Sequence, residues 1–151
     1  MPIIKIKSRE KIESMVFPLG TAVISITDYN YDFAKLNNKP DYLLQLTFDD
    51  IDSDVFIDEL GRKPTESERQ EIEKKYHMLT DEQAEQIAEF VKIVWDKIDV
   101  LICQCEHGQS RSAAVAAAIM EIKSKRGIEI FADDRYYPNK TIFRKVLKAI
   151  K

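Results

Sequence analysis

One junction narrows the choice of fold more than any other part of the sequence. Val100-Leu101-Ile102-Cys103, apolar at every position, runs into the polar passage Cys105-Glu106-His107-Gly108-Gln109-Ser110-Arg111-Ser112 and then into an alanine-rich stretch that closes on Lys125-Arg126-Gly127. A short run without polar alternation is a strand covered on both faces, and the stretch after it has the composition and C-terminal signals of a helix from about Ser112 to Arg126. The rest of the chain repeats this alternation. Ile3–Ile6, Thr21–Ile26 and Tyr42–Phe48 read as further strands, and Thr21–Ile26 as a central one. Ser8 caps a brief helix from Arg9 to Val16. Thr80-x-x-Gln83 opens a longer helix with Ala84, Ile87, Ala88, Val91, Val94, Trp95 and Ile98 at helical spacing, which makes Trp95 a core residue. Asn139 caps a last helix over Lys140–Ile150. The expected architecture is α/β: a single domain over residues 1–151, with a mostly parallel central sheet of about four or five strands and helices on both sides.

Composition removes several classes of function. Lys and Arg number 23 against 26 Asp and Glu, a net charge of −3, so a general nucleic-acid or anionic-membrane partner lacks the basic face it would need. No apolar run approaches a membrane span, and the opening MPIIKIKS is too polar for a signal peptide. With Cys103 and Cys105 as its two cysteines, the chain reads as a cytoplasmic protein with free thiols. Those cysteines with His77 and His107 make no convincing zinc set, and neither a metal nor another cofactor is expected. Asp50-x-Asp52-x-Asp54 fails as a calcium loop, because Val55 stands where the turn glycine belongs. Asp52-Ser53-Asp54-Val55 lacks the buried strand that an aspartyl nucleophile would need before it. Residues 51–78, acidic first and then a very polar helix over Glu66–Tyr76 anchored by Ile72 and Tyr76, read as an excursion over the surface, with His77 facing solvent.

A loop that joins a strand to a helix gathers backbone N–H groups and the positive end of the helix dipole, which is an anion cradle of phosphate size. Cys105 at its base is expected to be ionised more readily than a free thiol of pKa about 8.5. Arg111 adds a planar fork for two oxygens, and Gly108 allows a backbone twist. Attack by sulfur on phosphorus is the chemistry these parts suit.

The C-x5-R spacing followed by Ser, and the segment ICQCEHGQSRSAAVAAAI as a whole, resembles the dual-specificity branch of the tyrosine phosphatase superfamily over residues 100–120. The resemblance implies a tyrosine-phosphatase-like fold, Cys105 as the nucleophile that becomes phosphocysteine, and Arg111 as the group that binds phosphate and stabilises the transition state. It implies backbone N–H groups of Glu106, His107, Gly108, Gln109, Ser110 and Arg111 around the phosphate, and Ser112 as the hydrogen-bond partner of the Cys105 sulfur. The family usually has His before the cysteine; this chain has Gln104, a neutral amide.

The resemblance also implies an Asp on a loop after a strand as proton donor. In LQLTFDDI that residue is Asp50, with Asp49 next and Asp52 and Asp54 also available. The expected function is metal-independent hydrolysis of phosphomonoesters, on a phosphorylated protein (phosphotyrosine by default) or a small phosphomonoester. The loop carries no Lys, which disfavours phosphoinositides. The alternatives are a pseudophosphatase that binds phosphate groups without turnover, a thiol enzyme of the arsenate reductase kind in which Cys103 resolves an intermediate, and a docking surface over residues 51–78. Cys103 reads as a small buried hydrophobe, His107 as either a substrate contact or an exposed bystander. The turn Asp133–Asn139 has no role that its residues fix.

Overall fold

The computed structural model describes residues 1–151. Its strands are β1 (Ile3–Lys7), β2 (Thr21–Thr27), β3 (Tyr42–Thr47) and β4 (Val100–Gln104), joined in one sheet of order β1-β4-β2-β3. Every pairing is parallel, so all four strands end at the same edge. β2, read as a central strand, and β4, read as covered on both faces, are the two in the middle. In the register Ser25 lies opposite Gln104 and Thr27 opposite Thr47. β2 therefore runs on past the end of β4, and Asp28 arrives beside the loop that leaves it.

Alternation along β2 and β4 builds two unequal cores. Ala22, Ile24, Ile26, Leu101 and Cys103 face a large cluster formed with α4 (Asp81–Val94), α5 (Arg111–Ser124) and α7 (Lys140–Ile150). Val23 and Ile102 face a small one with Ile12, Phe17 and Ala34. Both faces are covered as expected, but the second only by α1 (Arg9–Glu13, three residues short of Val16) and by irregular chain. α5 has Ala113, Ala114 and Ala116–Ala118 wholly buried. Small side chains let its axis approach the sheet closely, which is why it carries no apolar stripe of its own.

The caps form as their spacings predict. Thr80 Oγ1 accepts from Gln83 N at 3.1 Å while Gln83 Oε1 accepts from Thr80 N at 3.0 Å, and Asn139 Oδ1 accepts from Ile142 N at 3.0 Å. Trp95 begins a 3-10 turn (Trp95–Lys97) after α4 and is buried in the large core. α6 (Ile128–Phe131) had no signal in the sequence strong enough to mark it.

The polar excursion forms two helices, α2 (Asp54–Leu60) and α3 (Glu66–Lys75). Its anchoring differs from the expectation. Tyr76 is 37% exposed, tilted against Phe56 at 4.9 Å between ring centroids, and the buried residue of α3 is Glu73. Glu73 can be buried because Arg69 Nη1 lies at 2.5 Å and Lys145 Nζ of α7 at 2.6 Å, so its charge is matched where water is excluded. His77 also departs from the reading. It adopts φ +53°, is half-buried and stacks on Tyr29 with centroids 3.5 Å apart. No helix of the chain is long and apolar enough to cross a membrane.

Candidate active site

The loop from Cys105 to Ser110 leaves the C-terminal end of β4 and feeds α5 directly. Four of its carbonyls are held from outside. The Cys105 carbonyl accepts from Gln104 Nε2 at 3.0 Å, and that of Glu106 accepts from Arg9 N at 3.0 Å. The Gln109 carbonyl accepts from Tyr137 N at 2.8 Å, and that of Ser110 from Asn139 N at 3.3 Å. In a planar trans peptide the C=O and the next N–H point in opposite directions. The amides of Glu106, His107, Ser110 and Arg111 are thus turned away from these partners. None of the backbone N–H groups from Glu106 to Ser112 donates to an acceptor within the chain. Unpaired consecutive donors at a helix N-terminus are the physical definition of an anion site.

Gly108 fixes the loop's turn. It has φ +66°, and a Cβ there would lie 2.7 Å from Ser8 N and 2.8 Å from the Lys7 carbonyl carbon. Neither is a flexible side-chain tip, so the loop could not sit against the end of β1 with any other residue. Gly108→Ala is expected to lose at least about 2 kcal/mol of stability from the left-handed backbone and the displaced strand end together, read as a lower urea midpoint at unchanged m-value.

Cys105 is 2% exposed, and its Sγ lies 3.1 Å from Ser112 Oγ in the first turn of α5. The two side chains are thus within hydrogen-bond distance. Gln104, just before the cysteine, is engaged at both ends of its amide: Ser25 Oγ donates to its Oε1 at 2.5 Å while its Nε2 holds the Cys105 carbonyl. It braces the loop as a neutral amide and brings no charge.

Arg111 is 5% exposed, with Nη1 donating to the Phe48 carbonyl at 2.8 Å and pairing with Asp28 Oδ1 at 2.5 Å. Its Nε and Nη2 have no acceptor in the chain, which leaves two donors of the fork for an anion. Asp28 escaped the sequence reading, because a single Asp after a β-branched run looks like an ordinary strand end. The signal was its place after the central strand, whose register carries it past β4.

The two candidate acids separate cleanly. Asp50 Oδ1 accepts from Ser110 Oγ at 2.8 Å and from Asn139 Nδ2 at 2.9 Å, so it sits on the rim of the loop with Oδ2 free of partners in the chain. Asp49 Oδ1 instead accepts from Tyr29 N at 2.9 Å and ties two loops together. Asp52 is held by Thr141 Oγ1 at 2.9 Å, and Asp54 lies near Arg144. Asn139 shows what the turn before α7 does, since Tyr137 N and Asn139 N both grip the loop. Arg9, a second residue not singled out, binds Glu106 Oε2 and Thr27 Oγ1, each at 2.8 Å, and closes the other side. His107 and Gln109 are exposed.

Cys103 is wholly buried in the large core, and burial, with the Cys105 charge adding to it, pushes its thiol up to about 12. A thiol so placed makes a poor redox partner. Its raised pKa favours the protonated folded form, so the stabilisation is complete below the unfolded value of about 8.5 and is lost as pH climbs toward 12. The fall in melting temperature above pH about 9 is expected to be shallower in Cys103→Ala than in the parent protein; parallel curves would deny the assignment.

The geometry has to speak for itself, because no protein-family model and no curated protein matches the chain. No group of three or more His, Cys, Asp or Glu side chains is arranged to hold a metal ion.

Proposed function

We propose that the chain is a hydrolase of phosphomonoesters that works through a cysteine nucleophile and needs no metal. Within that class it fits the dual-specificity type of tyrosine phosphatase, acting on phosphotyrosine or another phosphorylated protein residue. The observation that carries the reading is the Cys105 sulfur set against Ser112 at the start of α5, beneath a run of loop amides with no acceptor of their own.

In the proposed reaction the phosphate oxygens lie on the loop amides and on Nε and Nη2 of Arg111. Sγ of Cys105 forms a bond to phosphorus as the ester P–O bond breaks, and the departing oxygen takes a proton from Oδ2 of Asp50. Water then attacks phosphorus, Asp50 takes its proton, and the S–P bond breaks. The Ser112 hydroxyl supports the sulfur as it leaves with the electron pair. Ser110 and Asn139 aim the acid by holding its other oxygen. Asp28 fixes the guanidinium between β2 and β3 while its free edge remains available. With an aryl phosphate and a chelator present, Asp50→Asn is expected to lower kcat about 10²-fold while leaving phosphate affinity nearly unchanged, as removal of a general acid should. The same loss in Asp49→Asn and none in Asp50→Asn would move the acid to the neighbouring residue.

The neutral Gln104 favours one other reading, a module that holds phosphorylated groups without turning them over. Measurable affinity for inorganic phosphate in a protein that leaves aryl phosphates intact would select it.

A further inference from the structure

A second concavity shares no lining residue with the cysteine loop. It is about 330 Å³, walled by α2, α3, the start of α4 and α7, and has Phe56, Ile72 and Met78 among its lining residues. That volume is at the small end of those that take up organic ligands, about 300–1,000 Å³. Its lining carries four cations and three anions. Three anions line it, Glu66, Glu73 and Asp81, and each is bound by Arg69, with Lys145 also on Glu73 at 2.6 Å and Asp81 at 3.5 Å. The Arg69 and Lys145 cations are thereby consumed. Two further cations of α7 also line it, Arg144 and Lys148. Arg144 meets only Asp54, at 3.6 Å, and Lys148 forms no ion pair. Spaced four residues apart, they share one helix face. Lys148 is thus the one lining cation without an ion pair, and the Arg144 pair with Asp54 is a long, exposed one at 3.6 Å.

We propose that this cavity is a binding site for a small amphipathic carboxylate, an aliphatic or aryl body bearing a single carboxyl group. The body packs on Phe56, Ile72 and Met78, replacing water on apolar surface. The carboxylate is taken by the planar fork of Arg144, which matches its two oxygens, with the Lys148 ammonium beside it. A phosphate dianion fits less well, because the lining offers one unpaired cation against its two charges. The site is separate from the cysteine loop and does not depend on what that loop does.

Octanoate is the probe, titrated by calorimetry into the full chain without any phosphate ester. Saturable binding at one site per chain is expected, with acetate (charge without the body) and octyltrimethylammonium (body with the opposite charge) both failing to compete. The Arg144→Ala, Lys148→Ala double variant changes two solvent-facing positions, and its melting temperature is expected to match the parent. Its octanoate affinity is expected to fall roughly tenfold or more, as loss of a charge-assisted contact implies. No saturable binding, equal affinity in the double variant, or displacement by the cationic chain would each overturn the site. None of these results bears on hydrolysis by Cys105, so the two readings fail separately.

Discussion

Cys105→Ser is expected to remove aryl-phosphate hydrolysis by about 10³-fold or more, since a hydroxyl in the same place is a far weaker nucleophile and no other group can form the covalent intermediate. The variant should still bind phosphate, because the loop amides and Arg111 are untouched and Ser retains a hydrogen bond to Ser112. It should also refold normally, as the exchange removes only the larger sulfur from a position already next to a hydroxyl at 3.1 Å. Stopped-flow assays of the parent and the variant with a chelator present measure this directly. Turnover that survives unchanged in Cys105→Ser would end the mechanism.

Arg111→Ala carries the second large effect, a fall in kcat/KM of about 10²–10³-fold, the size seen when a preorganised donor to transition-state charge is removed. Both kcat and phosphate affinity should drop, unlike Asp50→Asn, because in the proposed reaction the guanidinium would touch the phosphoryl oxygens in every state. Arg111→Lys should recover little. A lysine offers one point charge and cannot at the same time hold the Phe48 carbonyl, pair with Asp28 and present two parallel N–H groups. Stability should also decline in Arg111→Ala, since Asp28 would lose the partner it meets at 2.5 Å. Intact phosphate affinity in Arg111→Ala would place the anion elsewhere than on this loop.

What could be read in advance follows from the range over which each signal acts. The strand at Val100, the capping box at Thr80 and the cap at Asn139 are local patterns, and each formed at the expected residue. The placing of Cys105, Ser112 and Asp50 was legible because one loop and one strand end carry all three. Asp28 and Arg9 were not, because their roles arise only when parallel pairing brings three strand ends to one edge. Residues 51–78 were under-read for a related reason. A helix that docks through Glu73, Arg69 and Lys145 shows no apolar stripe, and its partner lies some seventy residues on in α7. His77 looked solvent-facing because nothing near it in sequence announces the Tyr29 ring.

The amide of Asn139 serves two masters: its oxygen starts the last helix and its nitrogen steadies the Asp50 carboxylate. Its backbone N–H also holds the Ser110 carbonyl, so fraying at that end of the molecule, by heat or by a substitution well away from the sulfur, would loosen the Asp50 carboxylate and the anion loop together.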